Sequence, residues 1–153
     1  MPSENKPSKG LIQLVQVPSW NDPRGNLFVF EKDLPPFEIK RVYYLTNTVK
    51  NFARGFHAHR NLKQVAVAVS GKCRMVLDDG TQRQDVWLDS PSKALLIEAM
   101  TWREMHDFSP DCVLLVLANA EYDESDYIRD YETFLQEAKT AQEVKASQEE
   151  KVV

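Results

Sequence analysis

The sequence predicts an all-β domain, a sandwich or small barrel, with a helical segment at its C-terminal end. Short runs rich in β-branched and aromatic residues recur between Leu11 and Ala120, turn signals separate them at regular spacing, and no helical pattern of crossover length lies between them. A length of 153 residues fits one domain, whose core would bury roughly two thirds of the surface that the unfolded chain exposes.

The elements follow in order. "MPSENKPSKG", residues 1–10, is polar with two prolines and a glycine and is expected to be flexible. "LIQLVQV" reads as a strand, and "NDPRGNLFVFE" as a turn followed by another. "IKRVYYLTNT" alternates and is aromatic, which favours a strand. "QVAVAVSG" is a strand closed by Gly71, and "KCRMVLDDGTQRQDVWL" is two strands around Asp79-Gly80, a strong hairpin signal. "KALLIEA" and "CVLLVLANA" are further strands, separated by "MTWREMHDFSPD". From Asp123 the composition turns helical, with Tyr127, Tyr131, Phe134 and Leu135 spaced to form one apolar face. Past Glu137 few apolar anchors remain, so residues 136–153 are expected to be a charged tail, helical or disordered.

Charge is mixed, 19 Lys plus Arg against 23 Asp plus Glu, which argues against a nucleic-acid or anionic-membrane partner for the molecule as a whole. A local basic pocket for a phosphorylated small molecule is compatible with it. Cys73 and Cys112 both sit in apolar runs and read as two buried thiols suited to a reducing cytosol. The N-terminus lacks a signal-peptide core and no run approaches the roughly 18 apolar residues of a membrane helix, so the expected location is cytoplasmic.

"RGFHAHRNLKQVAVAVSG" carries two of the three histidines. On a strand, His57 and His59 share one face while Phe56 and Ala58 take the other, so inside a barrel both imidazoles would point at one cavity. They could ligate a metal, transfer protons, or be ordinary hydrogen-bonded strand residues. The spacing of His57, His59, Gln64 and Gly71 resembles the first motif of the cupins, which implies a jelly-roll barrel. Metal-binding cupins carry a glutamate where this chain has Gln64, and Arg103 stands where a further histidine ligand is expected. A neutral amide is a weaker ligand and a guanidinium has no lone pair to donate, so no metal is expected. Without a metal, an imidazole of ordinary pKa about 6.5 can still take a carbon-bound proton near neutral pH. Arg24, Arg41, Arg54, Arg74 and Arg103 are available to bind phosphate or an enolate, and each can equally be a solvated surface residue.

A closer match is carried by "IKRVYYL", "RGFHAHRNLKQV", "LDDG", "LDSP", "WREMHDFSPDCVLLVLA" and "YDESDYIRDYETF" in that order. Together they resemble the sugar 3,4-ketoisomerases that act on dTDP-4-keto-6-deoxyglucose, over residues 11–135. The resemblance implies an all-β cupin jelly-roll barrel with a C-terminal helical segment, and a homodimer in which N-terminal strands pair across subunits. It also implies a reaction that needs no cofactor. By the same resemblance His57 is the base, His59 orients or relays the proton, and Tyr43 contacts the reacting hydroxyl or oxyanion. Arg41 and Arg54 would bind pyrophosphate or sugar, and Gln64 sugar hydroxyls. Arg24 and Arg103 occupy the positions on which the C4 configuration of the product, galacto or gluco, depends; the pairing leaves that configuration open. His106 and Asp107 are further candidates, either to build the pocket or to pair structurally. Competing readings are a nucleotide-sugar 3,5-epimerase, a metal-dependent cupin oxygenase or isomerase, and a noncatalytic sugar-binding cupin.

Overall fold

Two five-stranded antiparallel sheets face one another and enclose the core, as a jelly roll requires. The computed structural model describes residues 10–150, so the flexibility expected of residues 1–9 lies outside the described residues. The first sheet orders β1 (Gln13–Gln16), β9 (Lys93–Ile97), β6 (Gln64–Ser70), β11 (Val113–Ala118) and β4 (Arg41–Leu45). The second orders β12 (Tyr127–Ile128), β5 (Arg54–His59), β10 (Trp102–His106), β7 (Cys73–Asp78) and β8 (Arg83–Leu88). A separate hairpin, β2 (Ser19–Asp22) with β3 (Gly25–Phe28), pairs only with itself among the described residues.

The alternation of each strand decides what fills the interior. Ala66 and Ala68 of β6, Cys73, Met75 and Leu77 of β7, Leu95 and Ile97 of β9, and Leu114 and Val116 of β11 form one buried cluster. Both thiols belong to this interior and are free; burial pushes Cys73 up to about 12, so it stays an inert thiol at neutral pH. The register then places polar residues in the same inward rows. Gln64 lies opposite Ala118, which lies opposite Arg41, and the next row runs Ala66, Val116, Tyr43. One end of the barrel is therefore hydrocarbon and the other polar. Small alanines beside Tyr43 and Gln64 leave room for a ligand at the polar end.

Two elements differ from expectation. "WREMH" is strand β10 in the middle of the second sheet, whereas its charged residues had marked it as a connection. Its burial on both faces, with Arg103 at 2% exposure and Trp102 at 4%, explains why no alternation of apolar and polar residues is visible there. Tyr127 lies in β12 and does not join the helical face. The helix α1 runs over Tyr131–Glu150, and its buried residues are Phe134 and Ala138. With Tyr131 and Leu135 they cover Trp102, Ala58 and Ile128 on the outer face of the second sheet. The Asp79-Gly80 turn forms as expected, its backbone N–H groups capped by Asp78 and Asp79. Gln142 of α1 donates to the Asp79 carbonyl at 2.9 Å, which anchors the helix one turn beyond its last buried residue.

Candidate active site

At the polar end, His57 and His59 project inward from β5, since Ala58 between them faces α1. Their rings meet edge to face with centroids 4.9 Å apart. The β5 backbone is bent to achieve this: Gly55 has φ +93° and Phe56 φ +55°. A Cβ at Gly55 would come within 2.9 Å of the Arg103 carbonyl on β10, and the β5–β10 register shifts beside Arg103. Strained backbone of this kind persists where the surroundings over-determine it, and here it turns the Gly55 carbonyl toward His57.

That carbonyl fixes a tautomer. His57 Nδ1 lies 3.0 Å from Gly55 O, and because a carbonyl can only accept, the ring proton sits on Nδ1. Nε2 is left with a free lone pair. Burial, then the Arg103 charge, lowers the pKa of His57 to about 4, so the imidazole is neutral near pH 7. His57 shares a cleft of about 320 Å³ with Arg41, Tyr43, Arg54, Tyr127 and Arg129. An uncharged ring with a bare nitrogen among guanidinium groups is a general base beside an anion-binding wall.

Tyr43 stands in the same cleft on β4 and has a fixed hydrogen-bond polarity. Arg103, buried in the barrel, donates from Nη2 to the Thr101 carbonyl at 3.0 Å and from Nη1 to the Gln64 amide oxygen. The amide nitrogen of Gln64 then faces the Tyr43 hydroxyl at 3.0 Å and donates to it. The phenol oxygen accepts, so its own O–H is free to point at a ligand. Burial raises the Tyr43 pKa, which keeps that proton in place at neutral pH. Gln64 Oε1, the atom that would ligate a metal, is taken by the cationic Arg103.

The remaining residues expected at the site divide. Arg41 and Arg54 line the cleft, and Arg41 lies 5.3 Å from the Tyr43 ring centroid. His59 is buried at 1% exposure with Nδ1 3.2 Å from Asp126; burial, then the Arg103 charge, lowers its pKa to about 2. His59 lines a neighbouring cavity and not the His57 cleft, contrary to the expectation that both imidazoles share one space, and two further residues stand away from the barrel interior altogether. Arg24 stands at the tip of the β2–β3 hairpin, 90% exposed and paired with Asp22 at 2.8 Å. His106 lies on the opposite face of β10 from Arg103, bonded to Glu104 at 2.9 Å; Asp107 beside it pairs with Arg74. The pleat carries His106 outward because it is three positions from Arg103.

The sequence reading missed Tyr127 and Arg129. Tyr127 pairs with His59 across β5 and β12, and its ring lies 4.9 Å from His57 and 4.3 Å from His59. The Arg129 guanidinium stacks on Tyr127 at 4.2 Å and is gripped by Glu124 at 2.8 and 2.9 Å. A two-residue strand has no periodicity to read, and only the cluster of Tyr, Arg and acidic residues in "YDESDYIRD" marked it.

Comparison with known proteins identifies the family. A family model described as "WxcM-like, C-terminal" (FdtA) matches residues 10–139. A curated relative from Aneurinibacillus thermoaerophilus, TDP-4-oxo-6-deoxy-alpha-D-glucose-3,4-oxoisomerase, is 52% identical over 114 residues, covering 74% of this chain and 82% of its own. A histidine-to-asparagine mutant of the 3,4-ketoisomerase QdtA from Thermoanaerobacterium thermosaccharolyticum, solved with TDP-4-keto-6-deoxyglucose, superposes with a TM-score of 0.82 at 40% identity, over 85% of this chain and 95% of the other. The WlaRB TDP-quinovose 3,4-ketoisomerase from Campylobacter jejuni gives 0.79 at 44% identity, over 82% and 97%. The extent of these matches settles the family: the chain belongs to the FdtA, WxcM-like family.

Proposed function

We propose that this protein is a 3,4-ketoisomerase that converts dTDP-4-keto-6-deoxyglucose into a dTDP-3-keto-6-deoxyhexose. The carrying observation is the pair facing one cleft: a neutral imidazole with a bare Nε2 on His57 and a phenol on Tyr43 whose proton is directed away from Gln64. The C4 ketone acidifies the hydrogen on C3, and His57 Nε2 takes that proton. The C3–H bonding pair becomes the C3–C4 π bond of an enediolate whose charge lies on O4. O4 gains a proton, O3 loses its own, and a proton added to C4 leaves the ketone at C3. Tyr43 donates to the developing oxyanion, and the guanidinium groups of Arg41, Arg54 and Arg129 counter the diphosphate charge. Ketone and carbinol exchange within one molecule, so the balance needs no redox cofactor.

The proposal includes a homodimer. Within one chain β1 pairs with its own β9, so among the described residues the β2–β3 hairpin is the N-terminal segment that joins neither large sheet. It exposes Trp20 and Leu27, and the edge strand β4 exposes Val42 and Tyr44. Large apolar residues exposed on an unpaired hairpin and an open edge favour association with a second copy. Arg24 serves the substrate only if that association brings the hairpin to a neighbouring cleft. Among the described residues no helix is long and apolar enough to cross a membrane; together with two free thiols this supports the cytoplasm as the setting.

NMR of the product formed from dTDP-4-keto-6-deoxyglucose tests the function. A C3 ketone is expected, and the C4 coupling constants assign galacto or gluco. Exchange at C5 with the ketone still at C4 would instead identify a 3,5-epimerase, and binding without turnover a sugar-binding protein.

A further inference from the structure

His59 does not face the same space as His57. It lines a second cavity of about 210 Å³ with Arg41, Asn61, Asp126 and Tyr127, while His57 belongs to the cleft containing Tyr43 and Arg54. Arg41 and Tyr127 form the wall common to both. Among the described residues two buried nitrogens there have no hydrogen-bond partner: Nε2 of His59 and Nε of Arg41. Leaving a buried polar atom unpaired costs roughly 1–3 kcal/mol, so such atoms mark a place where a ligand completes the bonding.

The other ring nitrogen of His59 is fully accounted for. Asp126 ends a short 3₁₀ turn, Glu124–Asp126, whose N-terminus is capped by Asp123 accepting from the Ser125 backbone N–H. Its carboxylate is held by the backbone N–H of Asn61 on Oδ1 at 2.9 Å and of Leu62 on Oδ2 at 3.1 Å. Oδ2 also faces His59 Nδ1 at 3.2 Å. An ionised carboxylate only accepts, so Nδ1 must carry the ring proton and Nε2 must be bare. The backbone of His59 is held too, its carbonyl accepting from Met100 N at 2.7 Å. The ring therefore has one orientation and one tautomer before any substrate arrives.

We infer that Asp126 is a positioning residue that locks His59 with its proton on Nδ1, making Nε2 a hydrogen-bond acceptor for a hydroxyl or N–H of the bound nucleotide sugar. This deepens the ketoisomerase reading and rests on it for the identity of the ligand. His59 then holds the substrate and passes no proton, because in this tautomer Nε2 has none to give. Arg41, with an unpaired donor, and His59, with an unpaired acceptor, line one cavity, and a hydroxyl, which donates and accepts through one oxygen, suits the two together.

The test uses the full chain labelled with ¹⁵N. Without substrate, a long-range ¹H–¹⁵N spectrum is expected to show His59 Nδ1 protonated and Nε2 unprotonated. Asp126→Ala is expected to populate both tautomers and to lower kcat on the order of 10²-fold with a smaller change in KM, the cost of a misplaced positioning group. Asp126→Asn, which keeps an acceptor oxygen, is expected to retain the tautomer and more of the turnover. A wild-type His59 protonated on Nε2 would overturn the inference. So would equal losses in both variants with the tautomer intact in each, which would assign Asp126 to the loop alone. Should the alanine variant not fold, the wild-type spectrum and the asparagine variant decide the matter. Absence of ketone migration in the wild type would sink the ketoisomerase reading, while the spectrum still judges Asp126.

Discussion

Gln64 donates its amide N–H to the Tyr43 hydroxyl at 3.0 Å, and it can do so only because Arg103 holds the amide oxygen on the other side. Arg103 has donors alone, so the amide cannot flip without setting its own N–H groups against the guanidinium. A buried cation thus sets the direction of a hydrogen bond two residues away. The outcome is a phenol proton presented to the cleft opposite the bare nitrogen of His57.

Substituting Gln64→Glu reverses that direction. The carboxylate accepts from Arg103 and from Tyr43 alike, so the phenol proton turns inward. We expect kcat to fall on the order of 10²-fold, as for loss of a donor to an oxyanion, with dTDP binding held within about threefold. Steady-state kinetics beside titration calorimetry checks this, and an unchanged kcat would remove Tyr43 as the donor.

Gly55→Ala tests the bent backbone under His57. The residue sits at φ +93°, and its new Cβ would meet the Arg103 carbonyl at 2.9 Å, a backbone atom that cannot swing aside. Destabilisation of roughly 1–3 kcal/mol is expected from the φ alone. Thermal denaturation should show a lowered Tm, and residual folded enzyme should lose turnover because His57 Nδ1 loses its carbonyl anchor.

The pH dependence follows from the depressed imidazoles. His57 is held to about 4 and His59 to about 2, both below the ordinary 6.5. From pH 6.5 down to about 4 for His57 and about 2 for His59 the unfolded chain binds protons that the folded one refuses, so stability is full above 6.5 and declines as pH falls through that range. For the folded free enzyme, kcat/KM should stay insensitive to His57 until the pH nears 4. Bound diphosphate offsets the arginine charges, so the acid limb of kcat should lie higher. A free-enzyme limb at 6.5 would contradict the buried, cation-flanked placement of His57.

Arg24→Ala separates the monomer from the dimer. Among the described residues the guanidinium hydrogen-bonds only to Asp22, and an exposed ion pair of this kind contributes little to stability. The proposed dimer predicts a change in kcat/KM on this substitution at unaltered Tm, and a dimeric mass by sedimentation. A monomer whose activity ignores Arg24 would remove both the hairpin exchange and Arg24 from the site.

Much of this was legible in the sequence, for reasons that differ by element. β6 and β11 announced themselves because their inward faces are hydrocarbon, and Asp79-Gly80 because a tight turn needs those residues. His57, Tyr43 and Gln64 were reachable because strand periodicity and the motif spacing place them on inward faces. β10 was hidden because Arg103 is charged yet buried, so the strand lacked an apolar signature. Tyr127, Arg129 and Asp126 were hidden because their role depends on a two-residue strand meeting β5, a contact between segments about 70 residues apart in the chain. His106 was assigned to the pocket on its neighbours in sequence, and the pleat of β10 turns it away.

The account stands most directly on one comparison: wild type and His57→Asn incubated with dTDP-4-keto-6-deoxyglucose in deuterium oxide, followed by NMR. The wild type should yield a 3-keto product carrying deuterium at C4. The variant should bind dTDP within about threefold of the wild type, yet exchange nothing at C3 and turn over on the order of 10³-fold more slowly, the loss expected of a general base. A variant that still moves the ketone at the wild-type rate, or a wild type that exchanges only C5, would contradict it.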